Sequence, residues 1–276
     1  HRAFSTGAWP ALSASQRGRL VRRFGEVLEK HDAELATIEA RDNGKLYAET
    51  FNQARYLCEW FQFYGGLADK IEGSVPAMDK PDVLNYTRHE PLGVCACITP
   101  WNSPLLLLAW KAAPALAAGN TLVIKPSEFT SASTLEFARL SLEAGLPPGV
   151  VNVVTGYGAE VGEPLVRHPK VRKVAFTGGE SGGRSVNLAA AADFKRVTLE
   201  LGGKSPNIVF ADTVLDEAVQ GAYFGLFFNQ GQCCCAGSRV FVEKKIHEEF
   251  VDKLVHRAKG RHAGIGGRRT VPQLDD

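Results

Sequence analysis

The sequence predicts an α/β fold: a doubly wound parallel sheet, followed by the first part of a second α/β domain. From Val94 onward, short apolar runs alternate regularly with segments of helical periodicity. Strict alternation of strand and helix requires crossover connections, which pair strands in parallel. The alternation starts afresh after Gly202-Gly203. We therefore expect two domains, residues 1–201 and 202–276.

Two long helical segments precede the first predicted strand. Ser13 to Gln16 has the S-x-x-Q form of a capping box, and an apolar series at helical spacing follows it. Asn43-Gly44 is a typical stop signal. A second helix is expected from about Ala48 to Lys70, with aromatic residues along one side.

Five apolar segments are predicted to form the strands of the first domain: VCACIT, TLVIKP, VVNVVTG, VRKVAFTGG and KRVTLELGG. The second domain is expected to contain the strands NIVFAD and RVFVEKK, with the helices LDEAVQGAYFGLFF and IHEEFVDKLVHRAKG. Roughly 75 residues make a thin domain. Since the chain also opens at His1 rather than at Met, we expect a fragment of a longer protein.

Composition excludes several classes of protein. A formal net charge of +2 gives no reason to expect binding to nucleic acid or to an anionic membrane. The longest apolar run is interrupted by Lys111 and Pro114 and is too short for a transmembrane helix. The six cysteines lack the spacing of a secreted disulfide framework. We therefore expect a cytoplasmic protein in a reducing compartment.

Half of the cysteines stand together as Cys233, Cys234 and Cys235 in the run FNQGQCCCAGSR. A zinc site would require cysteine pairs two to four residues apart with partners elsewhere, and a disulfide between neighbours would be strained. Two interpretations remain open from the residues alone. The thiols are buried and inert, or one of them is a nucleophile presented by a flexible turn.

Three further segments carry polar or glycine residues at predicted strand ends. Glu200 ends the strand VTLEL, where a carboxylate is unusual unless it is used or paired with a lysine such as Lys204. The turn FTGGESGGR has the glycines with which backbone N–H groups approach a pyrophosphate at a helix N-terminus. Asn102, between two prolines, is either a turn former or an amide donor to an oxyanion.

Together these segments resemble the aldehyde dehydrogenase superfamily. The resemblance is carried by PWN at 100–102, KPSE at 125–128, FTGG at 176–179, LELGGKSP at 199–206 and FNQGQCCCAGSR at 228–239, in the family's order and spacing. It implies a dinucleotide-binding first domain, a catalytic second domain, and oxidation of an aldehyde to a carboxylic acid with NAD. A homo-oligomer, either dimer or tetramer, is implied for the full-length protein.

The resemblance also implies the role of each catalytic residue. Cys234 attacks the aldehyde to form a thiohemiacetal, which becomes a thioester after hydride transfer. The Asn102 amide and the Cys234 N–H form the oxyanion hole, and Glu200 is the general base for hydrolysis. Cys233 is expected to shape the substrate tunnel and Cys235 to pack inward.

The cofactor residues follow from the same resemblance. They are Trp101, Lys125, Glu128, Gly158, Gly178, Gly179 and Gly183. NAD is favoured over NADP because the Glu128 carboxylate would repel a 2′-phosphate. The chain departs from the family where Gly179 and Glu180 follow FTG, and Glu180 is expected to weaken binding of the pyrophosphate.

Two alternative functions are carried forward. The first is a catalytically impaired, truncated chain that at most binds a dinucleotide. The second is a CoA-acylating member of the family, against which Glu200 argues because such enzymes do not need a general base for hydrolysis.

Overall fold

The computed structural model describes residues 1–264, with side chains described to residue 259. The helices are α1 (Arg2–Ser5), α2 (Ala8–Ala11), α3 (Ala14–Lys30), α4 (Asp32–Asn43), α5 (Tyr47–Leu67), α6 (Pro104–Ala117), α7 (Ala132–Glu143), α8 (Glu163–Arg167), α9 (Glu180–Ala191), α10 (Leu215–Phe227) and α11 (His247–Gly264). Among the helices so described, none is both long and apolar enough to cross a membrane.

The first sheet is parallel and has the order β3-β2-β1-β4-β5. Its strands are β1 (Val94–Ile98), β2 (Thr121–Lys125), β3 (Val151–Val153), β4 (Val171–Gly178) and β5 (Arg196–Leu201). The chain runs outward from β1 to β3 and then returns to the other side of β1. This reversal confirms the doubly wound prediction. It also creates a crevice at the carboxyl ends of β1 and β4, where open α/β sheets bind ligands.

A second, two-stranded parallel sheet consists of β6 (Pro206–Val209) and β7 (Arg239–Val242). Its small core is formed by Val209, Val219, Ala222 and Phe250. The first sheet ends at Leu201 and the second starts at Pro206. The division into two domains stays a prediction, and residues 265–276 of the second domain lie outside the described residues.

The long N-terminal helical segment is two helices rather than one. The predicted capping box is present, since Ser13 and Gln16 exchange their side-chain hydrogen bonds with backbone N–H groups. The predicted stop is also present, because Gly44 adopts a left-handed conformation with φ 73° after α4. The helix is interrupted at His31, between α3 and α4. The ring of His31 lies 2.7 Å from Glu34 and 3.2 Å from Glu143 of α7.

Strand β1 lies at the centre of the core and is buried on both faces. Cys95 and Cys97 pack against helices α3, α5 and α6, whereas Val94, Ala96 and Ile98 face a second cluster that includes α8 and α9. Continuous burial explains the uninterrupted apolar composition of this strand. Burial also raises the pKa of Cys95 to about 11 and that of Cys97 to about 12, so both are inert thiols.

Strand β5 forms where the sequence predicts a strand. Its residues alternate between half-buried Val197, Leu199 and Leu201 and exposed side chains that include Glu200. In the described part of the chain, β5 pairs with β4 alone and lies at the edge of the sheet. The apolar side chains of β5 thus pack on one face, as expected, and Glu200 lies on the other, exposed face.

Candidate active site

The cysteine run follows a sharp turn after helix α10. In the turn Phe228–Gly231, Asn229, Gln230 and Gly231 all have positive φ, with values of 54°, 61° and 73°. The left-handed conformation costs a non-glycine residue about 1 kcal/mol or more. Two such residues in succession therefore require stabilising contacts from elsewhere. The turn reverses the chain and places the three cysteines beyond it.

The three thiols have different environments. Cys233 is half-buried, whereas Cys234 and Cys235 are exposed. Inward packing of Cys235 was therefore a wrong expectation, because the turn leaves this side chain at the surface. Partial desolvation and then the neighbouring Cys235 raise the pKa of Cys234, while the backbone N–H groups of both residues oppose that rise. Cys234 is therefore a neutral thiol at pH 7, and it needs a base to become a nucleophile.

Asn102 contacts the cysteine run directly. It lies between β1 and α6, and its Nδ2 donates to the carbonyl oxygen of Gln232 at 2.8 Å. Its own carbonyl accepts from Nδ2 of Asn229 at 3.3 Å. An amide NH₂ carries two hydrogens, so one remains for a further acceptor near the thiols. The structure therefore brings together the two segments from which the sequence predicts an oxyanion hole.

The LELGG segment reaches the same place through its glycines. A Cβ built on Gly203 would lie 3.1 Å from the carbonyl oxygen of Cys234. Glu200, three residues earlier, lines a cavity of ≈ 390 Å³ together with Trp110, Lys111 and other residues of α6, β4 and β5. The Glu200 carboxylate is thus on β5, the strand that is followed by the contact between Gly203 and Cys234.

Lys111 is a functional candidate that the sequence-based reasoning missed. Burial lowers its pKa, and the nearby Cys97 and Glu200 oppose that decrease. Its ammonium donates to Oγ1 of Thr177 and to the carbonyl of Leu107. The available signal was a single lysine within an apolar helical run. From the sequence alone, this lysine argues against a transmembrane helix and indicates no catalytic role.

A larger cavity of ≈ 670 Å³ lies at the carboxyl ends of β1, β2 and β4. Six of the seven predicted cofactor residues line it: Trp101, Lys125, Glu128, Gly158, Gly178 and Gly179. Its other lining residues include Ser127, Phe129, Gly162, Ser181, Gly182 and Ser185. Gly179 is the N-cap of α9, so the free N–H groups of that helix start at the cavity.

Lys125 and Glu128 form the polar part of the cavity. The Lys125 side chain is only 4% exposed, and its Nζ donates to the Pro126 carbonyl at 2.7 Å. It lies 3.5 Å from Oε2 of Glu128, which is 34% exposed. A partly exposed carboxylate accepts hydrogen bonds from a pair of ribose hydroxyls, and a nearby cation orients it. Lys125 and Glu128, together with the cavity glycines Gly158, Gly178 and Gly179, fit a dinucleotide.

Gly183 is the exception among the predicted cofactor residues. It is buried, and a Cβ at this position would lie 2.5 Å from Cδ2 of Leu201 on β5. Its N–H already donates to the carbonyl of Gly179 at 3.0 Å. Close packing of α9 on the sheet therefore accounts for this glycine, and its placement gives no support to contact with a cofactor.

The unusual Glu180 is offset by a neighbour. Its carboxylate pairs with Arg184 one turn later at 3.3 Å, and both side chains are largely exposed. An acidic residue in the first turn of a helix also interacts favourably with the helix dipole. The expected repulsion of a pyrophosphate is thus reduced by a cation on the same helix.

Among the side chains that the structure describes, those of residues 1–259, no three His, Cys, Asp or Glu cluster in a way that would hold a metal ion. This finding applies also to the cysteine run, where the thiols are adjacent but point to different environments.

Comparison with known proteins places this site in context. A sequence profile of the aldehyde dehydrogenase family matches residues 1–271. Human retinal dehydrogenase 2 is 51% identical over 279 aligned residues, covering 99% of this chain and 54% of that protein. Aldehyde dehydrogenase family 2 member B4, mitochondrial, of Arabidopsis thaliana is 50% identical, covering 99% of this chain and 52% of that protein. The chain thus spans about half the length of the curated relatives it matches.

Solved structures agree with the fold. The NAD⁺ complex of an aldehyde dehydrogenase from Bacillus cereus is similar with a TM-score of 0.91 at 46% identity, covering 93% of this chain and 52% of that chain. The NAD-dependent aldehyde dehydrogenase from Sinorhizobium meliloti has a TM-score of 0.91 at 40% identity, covering 94% and 51%. The predicted α/β architecture is confirmed by both.

Proposed function

The chain belongs to the aldehyde dehydrogenase family, and from this premise we propose that the full-length protein oxidises an aldehyde to a carboxylic acid with NAD. The observation that carries the proposal is the meeting of three segments. Asn102 and Gly203 both contact the cysteine run, and the cavity that fits a dinucleotide begins at the residue next to Asn102. A nucleophile, an oxyanion donor and a cofactor site are thereby adjacent.

In the proposed reaction, the exposed Cys234 thiol gives its proton to solvent water and its sulfur bonds to the aldehyde carbon. The carbonyl π electrons pass to the oxygen, which gives the oxyanion of a thiohemiacetal. The second amide hydrogen of Asn102 and the Cys234 N–H hold the resulting oxyanion. NAD, held by Lys125, Glu128 and the glycines of the larger cavity, would supply the hydride acceptor that conversion of this carbon to a thioester of Cys234 requires. Water then adds to that thioester while Glu200 takes its proton. The C–S bond breaks and the proton returns to the sulfur, which releases the acid and restores the thiol.

The proposed cofactor assignment rests on Lys125 and Glu128. The carboxylate accepts from the 2′- and 3′-hydroxyls of the adenosine ribose, with the buried ammonium beside it. A 2′-phosphate would meet this carboxylate at close range, so NAD is preferred to NADP. Trp101, Gly158, Gly178 and Gly179 complete the proposed contacts. Gly183 belongs to the packing of the helix rather than to this set.

Glu200 favours hydrolysis over transfer of the acyl group to CoA. A solvent-exposed carboxylate on the strand that leads to the cysteine run has access to water, which a general base for thioester hydrolysis requires. We propose further that the protein is homo-oligomeric, a dimer or a tetramer. A cytoplasmic location stays a prediction, since the Arabidopsis relative is named as a mitochondrial protein.

The test is aldehyde-dependent formation of NADH by the full-length protein that contains this chain. Cys234→Ala is expected to lower turnover by roughly three orders of magnitude or more, because no other group forms the thioester. The matched control is Cys235→Ala, which removes an exposed neighbouring thiol and should change turnover only slightly. Persistent activity in Cys234→Ala would refute the proposed nucleophile.

A parallel experiment addresses the alternative of an impaired, truncated chain. Titration calorimetry of the 276-residue chain with NAD, combined with the same activity assay, separates binding from turnover. Binding without turnover favours the impaired chain for this length of sequence. A requirement for CoA in the full-length protein would instead identify an acylating enzyme.

A further inference from the structure

A buried cation lies behind the cysteine turn and is not used by the proposed mechanism. The side chain of Lys45 is fully buried, and its ammonium has three oxygen partners: Oε1 of Glu39 at 3.1 Å, Oε1 of Gln53 at 2.7 Å and Oγ of Ser103 at 3.4 Å. Three acceptors satisfy the three N–H donors of an ammonium. Burying an ion pair is costly and is weak evidence for added stability, so its position requires another explanation.

The partners of this cation lead to the cysteine turn. Nε2 of Gln53 and Oγ of Ser103 each lie 3.4 Å from Oδ1 of Asn229 and donate to it. The second carboxylate oxygen of Glu39 accepts the N–H of Leu105 at 3.3 Å, in the first turn of the helix that follows Asn102. Helices α4, α5 and α6 and the turn are thus joined around a single ammonium.

Asn229 is held at each of its polar groups. Its N–H donates to Oε2 of Glu49 at 3.1 Å, its Nδ2 donates to the carbonyl of Asn102 at 3.3 Å, and its carbonyl accepts from the N–H of Gln232 at 3.0 Å. The residue is 1% exposed and left-handed, with φ 54°. Strained backbone persists where the surrounding contacts over-determine it, and such strain is frequent at active sites.

We propose that Lys45 is a positioning residue for the Cys234 nucleophile. The Lys45 ammonium binds Oε1 of Gln53, which turns the amide Nε2 of Gln53 toward Asn229. The ammonium also binds Oγ of Ser103, so that both Gln53 and Ser103 donate to Oδ1 of Asn229. Asn229 is thereby kept in the left-handed conformation, and the turn presents Cys234 beside the amide of Asn102. The proposal rests on the proposed function, in which Cys234 is the nucleophile.

Loss of the cation has a specific consequence in this arrangement. Without the ammonium, the Gln53 amide has no donor for its oxygen and loses its orientation, and Glu39 becomes an unpaired buried carboxylate. Burial already raises the pKa of Glu39, and Lys45 is the main group opposing that rise. The turn then relaxes from its left-handed form and Cys234 moves away from Asn102.

The experiment compares two buried lysines in the full-length protein. In Lys45→Met the ammonium behind the turn is removed. In the matched control, Lys195→Met, an ammonium that is 4% exposed and donates to the carbonyls of Val166 and His168 at 2.6 and 2.8 Å is removed far from the cysteines. Melting temperature, kcat and KM for aldehyde oxidation, and the rate of Cys234 alkylation by iodoacetamide across pH are measured for each.

Lys45→Met is expected to lower kcat by about tenfold or more, with a small change in the KM for NAD, because a misplaced nucleophile reduces reaction rather than cofactor binding. Alkylation of Cys234 should slow at neutral pH, and its pH midpoint should move upward, since the N–H groups around the sulfur are displaced. Lys195→Met should lower the melting temperature but retain the wild-type alkylation profile.

A double-mutant cycle tests whether the effect passes through Asn229. Glycine adopts the left-handed conformation without steric cost. In an Asn229→Gly background, the additional loss caused by Lys45→Met should therefore fall to about twofold or less. Gln53→Met serves if Lys45→Met does not fold, because it leaves the Lys45–Glu39 pair in place and removes the bridge to Asn229. It should reproduce the slower alkylation in weaker form.

Two results would overturn the proposal: equal effects of Lys45→Met and Lys195→Met on the alkylation profile, or full additivity in the cycle with Asn229→Gly. Failure of the proposed function is distinguishable from both. The wild-type protein would then show no aldehyde oxidation, whereas the alkylation measurements, which need neither aldehyde nor NAD, would still report on the position of the thiol.

Discussion

The cofactor cavity and the cysteine turn are stabilised in different ways. The cavity is formed where successive strands of the first sheet end, and each strand–helix connection contributes its own glycine or polar residue. The turn at Asn229 depends on partners that are distant in sequence, among them Gln53, Glu49 and Asn102. The cavity is therefore built from local sequence motifs, whereas the conformation of the turn depends on contacts with residues that are distant in sequence.

This difference has a consequence for mutation. A single change in the cavity alters one contact and leaves the other connections in place. A single change in the polar network behind the turn leaves a buried group without its partner, which costs about 1–3 kcal/mol and displaces the residues it held. Substitutions near the turn should therefore affect reaction rate more than substitutions of comparable size in the cavity.

Among the substitutions that compare the two regions, the largest expected effect is that of Asn102→Ala. This change removes a proposed oxyanion donor and also the hydrogen bond to Gln232, so kcat should fall by roughly 100- to 1000-fold. Steady-state kinetics of the full-length protein measures it. Asn152→Ala is the control, because Asn152 also donates to backbone carbonyls, those of Leu122 and Gly149, but away from the cysteines. Similar kcat values in the two variants would contradict the expectation that contacts to the cysteine run affect the reaction rate more than contacts elsewhere.

Identical substitutions at two glycines separate packing from ligand contact. Gly183→Val introduces a side chain against Leu201 and should reduce the free energy of unfolding by about 1–3 kcal/mol. Gly158→Val enters open space at the cavity, so it should leave stability unchanged and weaken NAD binding. Urea denaturation and calorimetry measure the two quantities. Weakened NAD binding without loss of stability in Gly183→Val would restore that glycine to the cofactor site.

Glu128→Gln tests the cavity by a smaller change. Loss of the carboxylate charge weakens its hydrogen bonds to the ribose, and the Kd for NAD should increase by about tenfold. NADP should bind better than before, because repulsion of a 2′-phosphate is removed. Titration with both cofactors measures the ratio. Glu136→Gln, which alters an ion pair on α7 with Arg139, is the control and should leave both affinities unchanged.

The smallest effect concerns His31, a second long-range polar contact that is partly exposed. The hydrogen bond to Glu34, and then the interaction with Glu143, raise the pKa of His31 above its ordinary value of 6.5. Its stabilising contribution is therefore fully present below about pH 6.5 and is lost as pH rises through the folded-state pKa. The contribution should not exceed about 1 kcal/mol, because both carboxylates are partly solvated.

The measurement is the free energy of unfolding on either side of that pH window, for wild type and His31→Gln. The wild type should lose more stability than the variant as pH rises, and His89→Gln, which alters an exposed histidine, should behave as wild type. A steeper pH dependence in His31→Gln would contradict the assigned sign. If the expected small effect of His31 is observed, its contrast with the larger effect expected for Lys45→Met shows that burial increases the contribution of a polar contact.

Much of the fold and of the cavity was predictable from the sequence. The capping box at Ser13, the stop at Gly44 and the strand–helix alternation depend on residues within a few positions of one another, so their patterns are visible in the chain. The glycines at 158, 178 and 179 follow strands and lie at the cavity for the same reason. Sequence motifs also brought Asn102 and the cysteine run into one hypothesis, and the hydrogen bond between them agrees with it.

Other features were decided only in the tertiary structure. Gly183 packs on Leu201, Glu200 lies on the exposed face of β5, and Cys235 is exposed after the turn. The left-handed Asn229 is stable because Lys45, through Gln53 and Ser103, provides contacts from more than 100 positions away. Periodicity and turn signals record interactions between near neighbours. A buried polar network joins residues whose proximity exists only after the helices have packed, and no local pattern reports it.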